Sequence, residues 1–498
     1  MNTSHVVRHP DKFFIGGQWT EPSSDARIKV TNSCTEELFL TVAEAKEADV
    51  KRAVAAAREA FDKGPWPRMP HAERARYMRA MAAELDKLAD QHSRIWTTEA
   101  GALHSFTKAR CAGISNDYLA YAELADTFPF QERHKSKSGG EVALLVREPV
   151  GVVAAIVPWN AAPGAISSKV GPALIAGCTV IVKVSPEAPG AAYILAEACE
   201  AAGFPAGVVN ILTAEREVSE LLVRHPGVDK VAFTGSTVAG RRIASLCGER
   251  IARVTLELGG KSPAIVLDDY DVATAAQSIA SRATFLTGQV CASLTRIIVS
   301  RKRHDDLVEA LSENFRKVKV GDPFDPATQM GPLAMRRQLE RVQGYIAKGK
   351  EEGATLATGG GRPAHLDRGF FVEPTVFGNV ANSFTIAREE IFGPVLAVIP
   401  ADSDEQAVEI ANDTIYGLNA SVFTNDVERA YAVARRIRSG TVGQNSMRME
   451  GGIAFGGFKQ SGIGREGGAE GLRCYLESKV VVLVGMPATA GPVVDLAA

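Results

Sequence analysis

The chain has 498 residues, of which 46% are hydrophobic and 23% are charged, the ordinary composition of a globular protein. This length predicts about three domains, and the composition excludes a collagen, a disordered chain or a small disulfide scaffold. Lysine and arginine together number 56 and aspartate and glutamate 58, which gives a formal charge of −2. That balance argues against a general binder of nucleic acid or of anionic membranes.

The seven cysteines are scattered, odd in number and without a CxxC pair. This pattern favours a reducing compartment and lacks the spacing of a metal site. The N-terminus is polar and has no apolar signal core, and the longest apolar run, residues 150–159, is too short for a membrane helix. We therefore expect a soluble, cytoplasmic protein that needs no metal.

The first stretch, to about residue 126, is predicted to be mostly helical. Residues 49–61 and 72–89 are rich in Ala, Arg, Glu and Leu and have apolar residues at helical spacing. Residues 127–147 are more polar and contain Pro129 and two glycines, which interrupt the helical pattern. We expect a protruding hairpin there.

From residue 150 onward, fully apolar stretches of strand length alternate with helical stretches. Strands are predicted at 150–157, 179–184, 208–212 and 228–233, and helices at 166–176, 191–202, 218–224 and 238–248. This alternation predicts a parallel sheet covered on both faces, which binds ligands at the carboxyl ends of its strands. A second series from about residue 263 predicts a second α/β domain, with a cleft between the two. A last strand, residues 479–484, is a candidate for pairing with another subunit.

Two glycine motifs compete as the loop that would bind the phosphates of a dinucleotide. Residues 462–467 (GIGREG) match GxGxxG, but no apolar strand precedes them, so we interpret them as a flexible glycine loop. Residues 231–240 (VAFTGSTVAG) are better placed, because an apolar strand runs into Gly-Ser-Thr and a helix starts at once. Backbone N–H groups at that helix start can hold a phosphate oxygen, although a plain helix cap gives the same pattern.

Further segments complete a series of motifs. They are PWN at residues 158–160, Lys183, ELGGK at 257–261, GQVC at 288–291, EEIFGPV at 389–395 and FGGFK at 455–459. Together with the glycine motif at 231–240, and in this order, they resemble the motifs of the NAD(P)-dependent aldehyde dehydrogenase superfamily. The resemblance covers nearly the whole chain, from about residue 14 to the last strand.

The resemblance implies an α/β fold in three parts. Residues 1–126 and 148–258 would form a Rossmann-like NAD(P)-binding domain, and residues 259–460 an α/β catalytic domain. Residues 127–147 and 470–498 would form a small β oligomerisation element. A homodimer or homotetramer is implied as well.

Hydride can leave an aldehyde only after its carbon has become tetrahedral, which requires that a nucleophile adds to the carbonyl. By resemblance, Cys291 adds as a thiolate, and the Asn160 side-chain amide and the Cys291 backbone N–H stabilise the oxyanion. Hydride transfer to the nicotinamide then leaves a thioester. By resemblance Glu257 activates the water that releases the carboxylic acid, a role that suits a buried glutamate with a raised pKa.

The cofactor-binding residues that the resemblance implies are Pro158, Trp159, Lys183, Gly235, Ser236, Gly240, Glu390 and Phe392. Lys183 would hydrogen-bond the adenosine ribose, Ser236 would contact the pyrophosphate, and Glu390 would hold the nicotinamide ribose. The family often has a glutamate three residues after the lysine, which disfavours NADP. This chain has Pro186 there and Glu187 one residue later. We expect NAD as the cofactor, with NADP not excluded.

The substrate side also departs from the family pattern. Ala161 and Ala162 follow PWN where a bulky side chain is usual, and residues 447–452 lack the aromatic often found there. Small residues and methionines, with Phe285 as a lining residue, predict a roomy, largely apolar entrance. The substrate is therefore expected to be a bulky, aromatic or terpenoid aldehyde. Arg448, in contrast, suits a carboxylate on the substrate.

Three alternatives remain open at this point. A CoA-acylating member of the superfamily would pass its thioester to CoA, so that a water-activating base is dispensable. A cysteine amidohydrolase with Glu257, Lys183 and Cys291 would need no dinucleotide. A non-catalytic member would be retained only for binding or structure.

Overall fold

The computed structural model describes residues 6–488 and 490–496. The strands are β1 (Phe13–Ile15), β2 (Gln18–Thr20), β3 (Arg27–Thr31), β4 (Leu38–Ala43), β5 (Gln131–His134), β6 (Val142–Pro149), β7 (Val152–Ile156), β8 (Thr179–Val184), β9 (Val209–Thr213), β10 (Lys230–Thr234), β11 (Arg253–Glu257), β12 (Ser262–Val266), β13 (Leu294–Ser300), β14 (Thr355–Thr358), β15 (Thr375–Gly378), β16 (Val395–Ala401), β17 (Asn419–Phe423), β18 (Thr441–Gln444), β19 (Gly462–Ile463), β20 (Leu476–Leu483) and β21 (Val494–Asp495). The helices are α1 (Glu47–Asp62), α2 (His71–Lys87), α3 (Ala89–Ala100), α4 (His104–Ala112), α5 (Ile114–Thr127), α6 (Ala162–Ala176), α7 (Gly190–Ala201), α8 (Arg216–Arg224), α9 (Thr237–Glu249), α10 (Val272–Ala283), α11 (His304–Arg316), α12 (Arg336–Glu351), α13 (Thr385–Arg388), α14 (Asp404–Asn412), α15 (Val427–Ala434) and α16 (Gly468–Arg473).

The first sheet has the order β19-β11-β10-β7-β8-β9-β1-β2. Its five central strands, β11 to β9, are parallel, and antiparallel strands close both edges. Strands β7 and β8 are buried at every position because helices cover both faces of the sheet. Val153 and Ala155 face the core under α2, α5, α6 and α7, whereas Val152 and Ala154 face α1, α8 and α9. The predicted parallel sheet is confirmed.

The second sheet has the order β14-β15-β16-β13-β12-β17-β18 and is parallel except for β14. Helices α10 and α11 pack on one face, and α12 to α15 pack on the other. This second α/β unit was predicted from the alternation that starts near residue 263. The α/β fold class is therefore confirmed, whereas the exact domain boundaries stay a prediction.

A third sheet joins the predicted hairpin to the C-terminal strand in the order β20-β6-β5-β21. Strands β5 and β6 are the two arms of the hairpin. Strand β20 pairs antiparallel with β6 over eight residues, Leu476 opposite Pro149 through Leu483 opposite Val142. The pairing partner that we expected in another subunit is thus supplied by the same chain. These eight pairs occupy the backbone hydrogen-bonding groups along one edge of β20. The other edge has no partner strand among the described residues and is available for further pairing.

The expectation of a mostly helical first stretch is wrong for residues 13–43, which form β1 to β4. These strands are short, and β3 alternates exposed and buried positions, the pattern of a half-buried strand. The helical prediction is confirmed from α1 onward. Among the described helices, none is long and apolar enough to cross a membrane.

Candidate active site

A strained loop presents Cys291 between α10 and β13. Leu286, Thr287 and Gly288 have φ angles of 48°, 56° and 72°, three successive residues in the left-handed region. A side chain on Gly288 would lie 2.3 Å from the backbone of Gly393, so only glycine fits there. The Thr287 hydroxyl donates to the carbonyl of Gly331 at 3.0 Å and helps to hold this conformation. Packing therefore fixes a costly backbone just before the thiol.

The Cys291 thiol is half-buried, and the charges of two glutamates act on it. Burial, together with the charges of Glu390 and Glu257, raises the pKa of this thiol to about 12. The backbone N–H groups of Cys291 and Ala292 act in the opposite direction, since they point toward the sulfur and favour a thiolate. The sulfur is therefore a neutral thiol at pH 7, close to donors that stabilise negative charge.

Glu257 is the last residue of β11 and is only 2% exposed. Neither carboxylate oxygen has a hydrogen-bond partner among the described residues. Burial, and next the charge of Glu466, raise the pKa of Glu257 well above its usual value. Gly456 faces it, and a methyl group there would approach Oε1 to 2.5 Å. The site thus keeps space around an unpaired carboxyl group.

Asn160 follows β7 and is tied to the cysteine loop. Its Nδ2 donates to the carbonyl of Gln289 at 2.8 Å, two residues before Cys291. Its own carbonyl accepts from Trp96 Nε1 at 2.9 Å. Because an amide nitrogen has two hydrogens, the second one remains for a ligand.

The predicted cofactor residues of the first sheet lie at the carboxyl ends of its parallel strands. Pro158 and Trp159 follow β7, and Gly235 and Ser236 follow β10. Lys183 is the second-last residue of β8. Ligands of open α/β sheets bind at this edge. The structure therefore brings these separate sequence motifs to one side of the sheet.

Ser236 caps helix α9, since its hydroxyl accepts from the N–H of Ala239 at 3.3 Å. The N–H of Gly235 donates to the carbonyl of Glu257 at 3.0 Å. A side chain on Gly240 would come within 2.4 Å of Leu258, so this glycine allows α9 to pack closely on the strand end. The cap and the packing are structural roles, and the other first-turn N–H groups of α9, those of Thr237 and Val238, lie at the carboxyl end of β10.

Glu187 and Glu215 line a cleft of about 380 Å³ together with Met335, and the charges of both glutamates act on the neighbouring Lys183. Burial lowers the pKa of Lys183 to about 8, and the charges of Glu187 and Glu215 oppose that change. The Glu187 carboxylate accepts from the Ser185 hydroxyl and pairs with Arg337 of helix α12. Glu187 thus faces the cleft despite its shift by one position from the family pattern.

Glu390 reaches the first sheet from the second one. Its Oε1 accepts from the N–H of Gly260 at 2.9 Å. Burial raises the pKa of Glu390 to about 7, against the effect of that hydrogen bond and of the Arg341 charge. Two residues later, the ring of Phe392 stands edge-on to Trp159, with centroids 5.5 Å apart. These contacts close the cleft between the two sheets beside Cys291.

An apolar cluster lies on the other side of the cysteine loop. Trp96, Phe106 and Phe285 form a row of edge-to-face rings with centroids 5.4 and 4.7 Å apart, and Ala161 and Leu286 pack beside it. The methionines at residues 447 and 449 differ from each other. Met447 is buried in the core of the second sheet, whereas Met449 is exposed. Met447 is thus a core residue and not part of a flexible entrance.

A buried ion pair next to Glu257 was not predicted from the sequence. Lys169 of α6 is fully buried and pairs with Glu466 at 2.5 Å, and it also donates to the Thr234 hydroxyl at 2.5 Å. The sequence feature that could have indicated this pair is Lys169, the one charged residue of the largely apolar helix α6. Glu466 lies in the GxGxxG segment, which we interpreted as a flexible loop. That interpretation is wrong, because Gly462 pairs with Glu257 in the sheet.

The two sheets thus meet beside a thiol and two buried glutamates. A sequence model of the aldehyde dehydrogenase family matches residues 19–481. The chain belongs to the aldehyde dehydrogenase family. This confirms the family, the fold class and the enzyme class that the motifs predicted.

The relatives cover almost the full length of the chain. Geranial dehydrogenase from Castellaniella defragrans is 43% identical over 473 residues, which span 95% of this chain and 98% of the relative. An aldehyde dehydrogenase from Mycobacterium tuberculosis, solved in complex with NAD+, is 43% identical with a TM-score of 0.92 over 97% of this chain and 99% of the other. A variant of aldehyde dehydrogenase C from Pseudomonas syringae, solved with NAD+ and octanal, is 39% identical with a TM-score of 0.92 over 98% and 100%.

Proposed function

We propose that this chain oxidises an aldehyde to a carboxylic acid with NAD+, through a covalent thioester on Cys291. The observation that carries the proposal is that the Cys291 thiol lies within electrostatic range of both Glu257 and Glu390, which come from the two different sheet units. Family membership and the NAD+ complexes of related structures support it. Water replaces the cysteine at the end, so the net reaction converts aldehyde, water and NAD+ into acid, NADH and a proton.

The cleft has the groups that a dinucleotide requires. The N-terminus of α9 offers N–H groups to the pyrophosphate, Lys183 offers an ammonium near the adenosine ribose, and Glu390 offers a carboxylate oxygen to the nicotinamide ribose. The edge-on rings of Trp159 and Phe392 would flank the cofactor. When bound, NAD+ supplies the acceptor for hydride.

The first step is addition of the Cys291 sulfur to the aldehyde carbon, which turns the carbonyl into an oxyanion and forms a thiohemiacetal. Because burial holds its pKa near 12, the thiol must release its proton to solvent water as the sulfur adds, and this is the proton of the net reaction. The Asn160 amide and the Cys291 N–H would donate to the oxyanion. Loss of hydride from the same carbon then leaves a thioester on the sulfur.

The second step is hydrolysis of that thioester. Glu257 would take a proton from water, whose oxygen adds to the acyl carbon, and the carbon–sulfur bond then breaks to release Cys291 and the acid. The carboxyl group suits this role because both its oxygens are unpaired within the described part of the chain. Its raised pKa makes it a stronger base than an ordinary glutamate.

We also propose NAD+ over NADP+ as the preferred cofactor. Glu187 and Glu215 both lie near Lys183, where the 2′-phosphate of NADP+ would add negative charge. The ratio of kcat/KM for the two cofactors tests this directly. A clear preference for NADP+ would contradict it.

A bulky, largely apolar aldehyde is the proposed substrate. The row of aromatic rings beside the cysteine loop and the small Ala161 support it, as does the similarity to a geranial dehydrogenase. The backbone carbonyl of Arg448 accepts a hydrogen bond from Asn419. The residue is exposed, so its guanidinium would be accessible to a polar group on a substrate. More efficient turnover of acetaldehyde than of bulky aldehydes would contradict this proposal.

We further propose that the chain is a cytoplasmic homodimer or homotetramer. Strand β20 is an edge strand with exposed Val480 and Val482, an apolar face on the third sheet that a second copy would cover. Light scattering of the purified protein measures the subunit number, and a monomer would contradict it. We also propose the division into an NAD(P)-binding domain (residues 1–126 and 148–258), a catalytic domain (residues 259–460) and an oligomerisation element (residues 127–147 and 470–498).

The decisive experiment measures NADH formation over a panel of short, long, terpenoid and aromatic aldehydes. Cys291→Ala should abolish activity, while Cys34→Ala, at another half-buried free cysteine, should leave it unchanged. Product analysis should find free acid. Acyl-CoA formed on addition of CoA would instead show an acylating enzyme, and amide hydrolysis without NAD+ would show an amidohydrolase.

A further inference from the structure

A small cavity outside the catalytic cleft lies where the ELGGK segment enters β12. Its wall is formed by the start of β12, the loop before β17 and the loop before β18. The polar wall residues are Lys261, Ser262, Thr414, Tyr416, Asn419, Arg438 and Ser439. The cavity has room for about one water-sized particle.

Three buried polar side chains of this wall have no partner. Lys261 is 1% exposed, and its Nζ makes no hydrogen bond with any described residue. The hydroxyls of Ser262 and Ser439 are also buried without a partner in the described chain. A buried ammonium without an acceptor is strongly unfavourable, so three such groups around one cavity indicate a ligand between them.

The surroundings do not provide a counter-charge in contact with Lys261. Glu390 and Glu389 are its nearest carboxylates, but they are bonded to the N–H of Gly260 and the hydroxyl of Tyr345. Arg296 and Arg341 add positive charge from the other sides. Burial, and next the charge of Arg296, lower the pKa of Lys261 to about 7, so a full positive charge on this lysine at pH 7 requires an additional anion.

The nearby carbonyls are also occupied. The Arg296 guanidinium donates to the carbonyls of Lys261, Ile410 and Ala411 at 2.8–2.9 Å. Lys459 Nζ donates to the carbonyl of Thr414 at 3.1 Å. The side-chain groups of the wall that lack a partner among the described residues are Lys261 Nζ and the hydroxyls of Ser262 and Ser439, and all three can donate.

We propose that this cavity binds a single small monovalent anion of the halide type, held by Lys261, Ser262 and Ser439. The Lys261 ammonium can only donate, and the two serine hydroxyls can donate. An acceptor with negative charge therefore satisfies all three groups together. Water has two lone pairs and no charge, and it would leave the lysine unneutralised. The site is distinct from the catalytic cleft but adjoins Gly260, whose N–H holds Glu390.

Crystals of the wild-type protein grown in sodium bromide test the site. We expect an anomalous bromide peak within hydrogen-bonding distance of Lys261 Nζ and the two serine hydroxyls. Density for water without an anomalous signal would overturn the proposal.

Thermal unfolding gives a second test in solution. At constant ionic strength, replacing gluconate by chloride should raise the Tm of the wild-type protein with a saturable dependence. Lys261→Met should remove this dependence, whereas Lys302→Met, an exposed lysine paired with Asp268, should keep it. Equal Tm in chloride and gluconate would overturn the proposal.

A milder variant covers the case in which Lys261→Met does not fold. Ser439→Ala removes one hydrogen bond to the anion and should raise the chloride concentration at half-saturation about tenfold. An unchanged half-saturation point in this variant would show that the anion does not lie in this cavity.

Discussion

The charges of Glu257 and Glu390 both act on Cys291, and burial raises the pKa of both glutamates. Glu390 accepts a hydrogen bond from Gly260 and is stabilised by the charges of Arg341 and Lys261, so its pKa stays near 7. No donor within the described residues reaches Glu257, and Glu466 adds a like charge beside it. The bonded carboxylate is suited to hold a ligand, whereas the unbonded one is suited to exchange a proton.

Replacement of the unbonded carboxylate should have the largest effect. In Glu257→Gln we expect steady-state kcat to fall by about 10²–10⁴-fold, because the base for hydrolysis is lost. The first turnover should survive as a burst of NADH, since attack and hydride transfer precede hydrolysis. Rapid-mixing absorbance measures both phases, with the exposed Glu409→Gln as the matched control. Loss of the burst would mean that Glu257 also deprotonates the thiol.

Replacement of the bonded carboxylate should affect binding instead. In Glu390→Gln we expect the KM for NAD+ to rise about 10–100-fold, the loss of a hydrogen bond to a charged group. Since the Glu390 charge raises the pKa of Cys291, alkylation of the thiol by iodoacetamide should also shift to lower pH in this variant. Fluorescence titration and alkylation rates against pH separate these effects. An unchanged KM would remove Glu390 from the cofactor site.

The smallest effect should come from the neighbouring Glu466. Its charge raises the pKa of Glu257, and the base acts in its deprotonated form, so the hydrolysis rate should increase with pH through that raised pKa. In Glu466→Gln the like charge is absent, and the inflection should move to lower pH. The control is a double variant, Lys169→Met with Glu466→Gln. It removes both charges of the buried pair and so leaves no unpaired lysine. An inflection that does not move would show that Glu466 is only structural.

Local patterns in the sequence predicted the central strands well. The fully apolar residues 179–184 coincide with β8, because a strand buried on both faces needs no partner information to be recognised. Strands β1 and β2 have three residues each, too few to show a period. The pairing of β20 with β6 joins segments more than three hundred residues apart, and no local pattern specifies it.

The site divides in the same way. The motifs predicted Cys291, Glu257 and Asn160, and the structure brings them to one edge, although their catalytic roles stay proposals. The pair of Lys169 and Glu466 spans 297 residues and depends on the placement of a short edge strand, β19. Spacing along the chain carries no information on such a contact.

The pairing of Gly462 with Glu257 has a consequence for biosynthesis. A ribosome makes the segment that contains β19 and Glu466 more than two hundred residues after Glu257. Until that segment docks, β11 lacks its partner strand β19, and Glu257 lacks the charge of Glu466 that raises its pKa. The nascent protein therefore contains Cys291 and strands β12 to β18 before the segment that covers the proposed base, Glu257, has been synthesised.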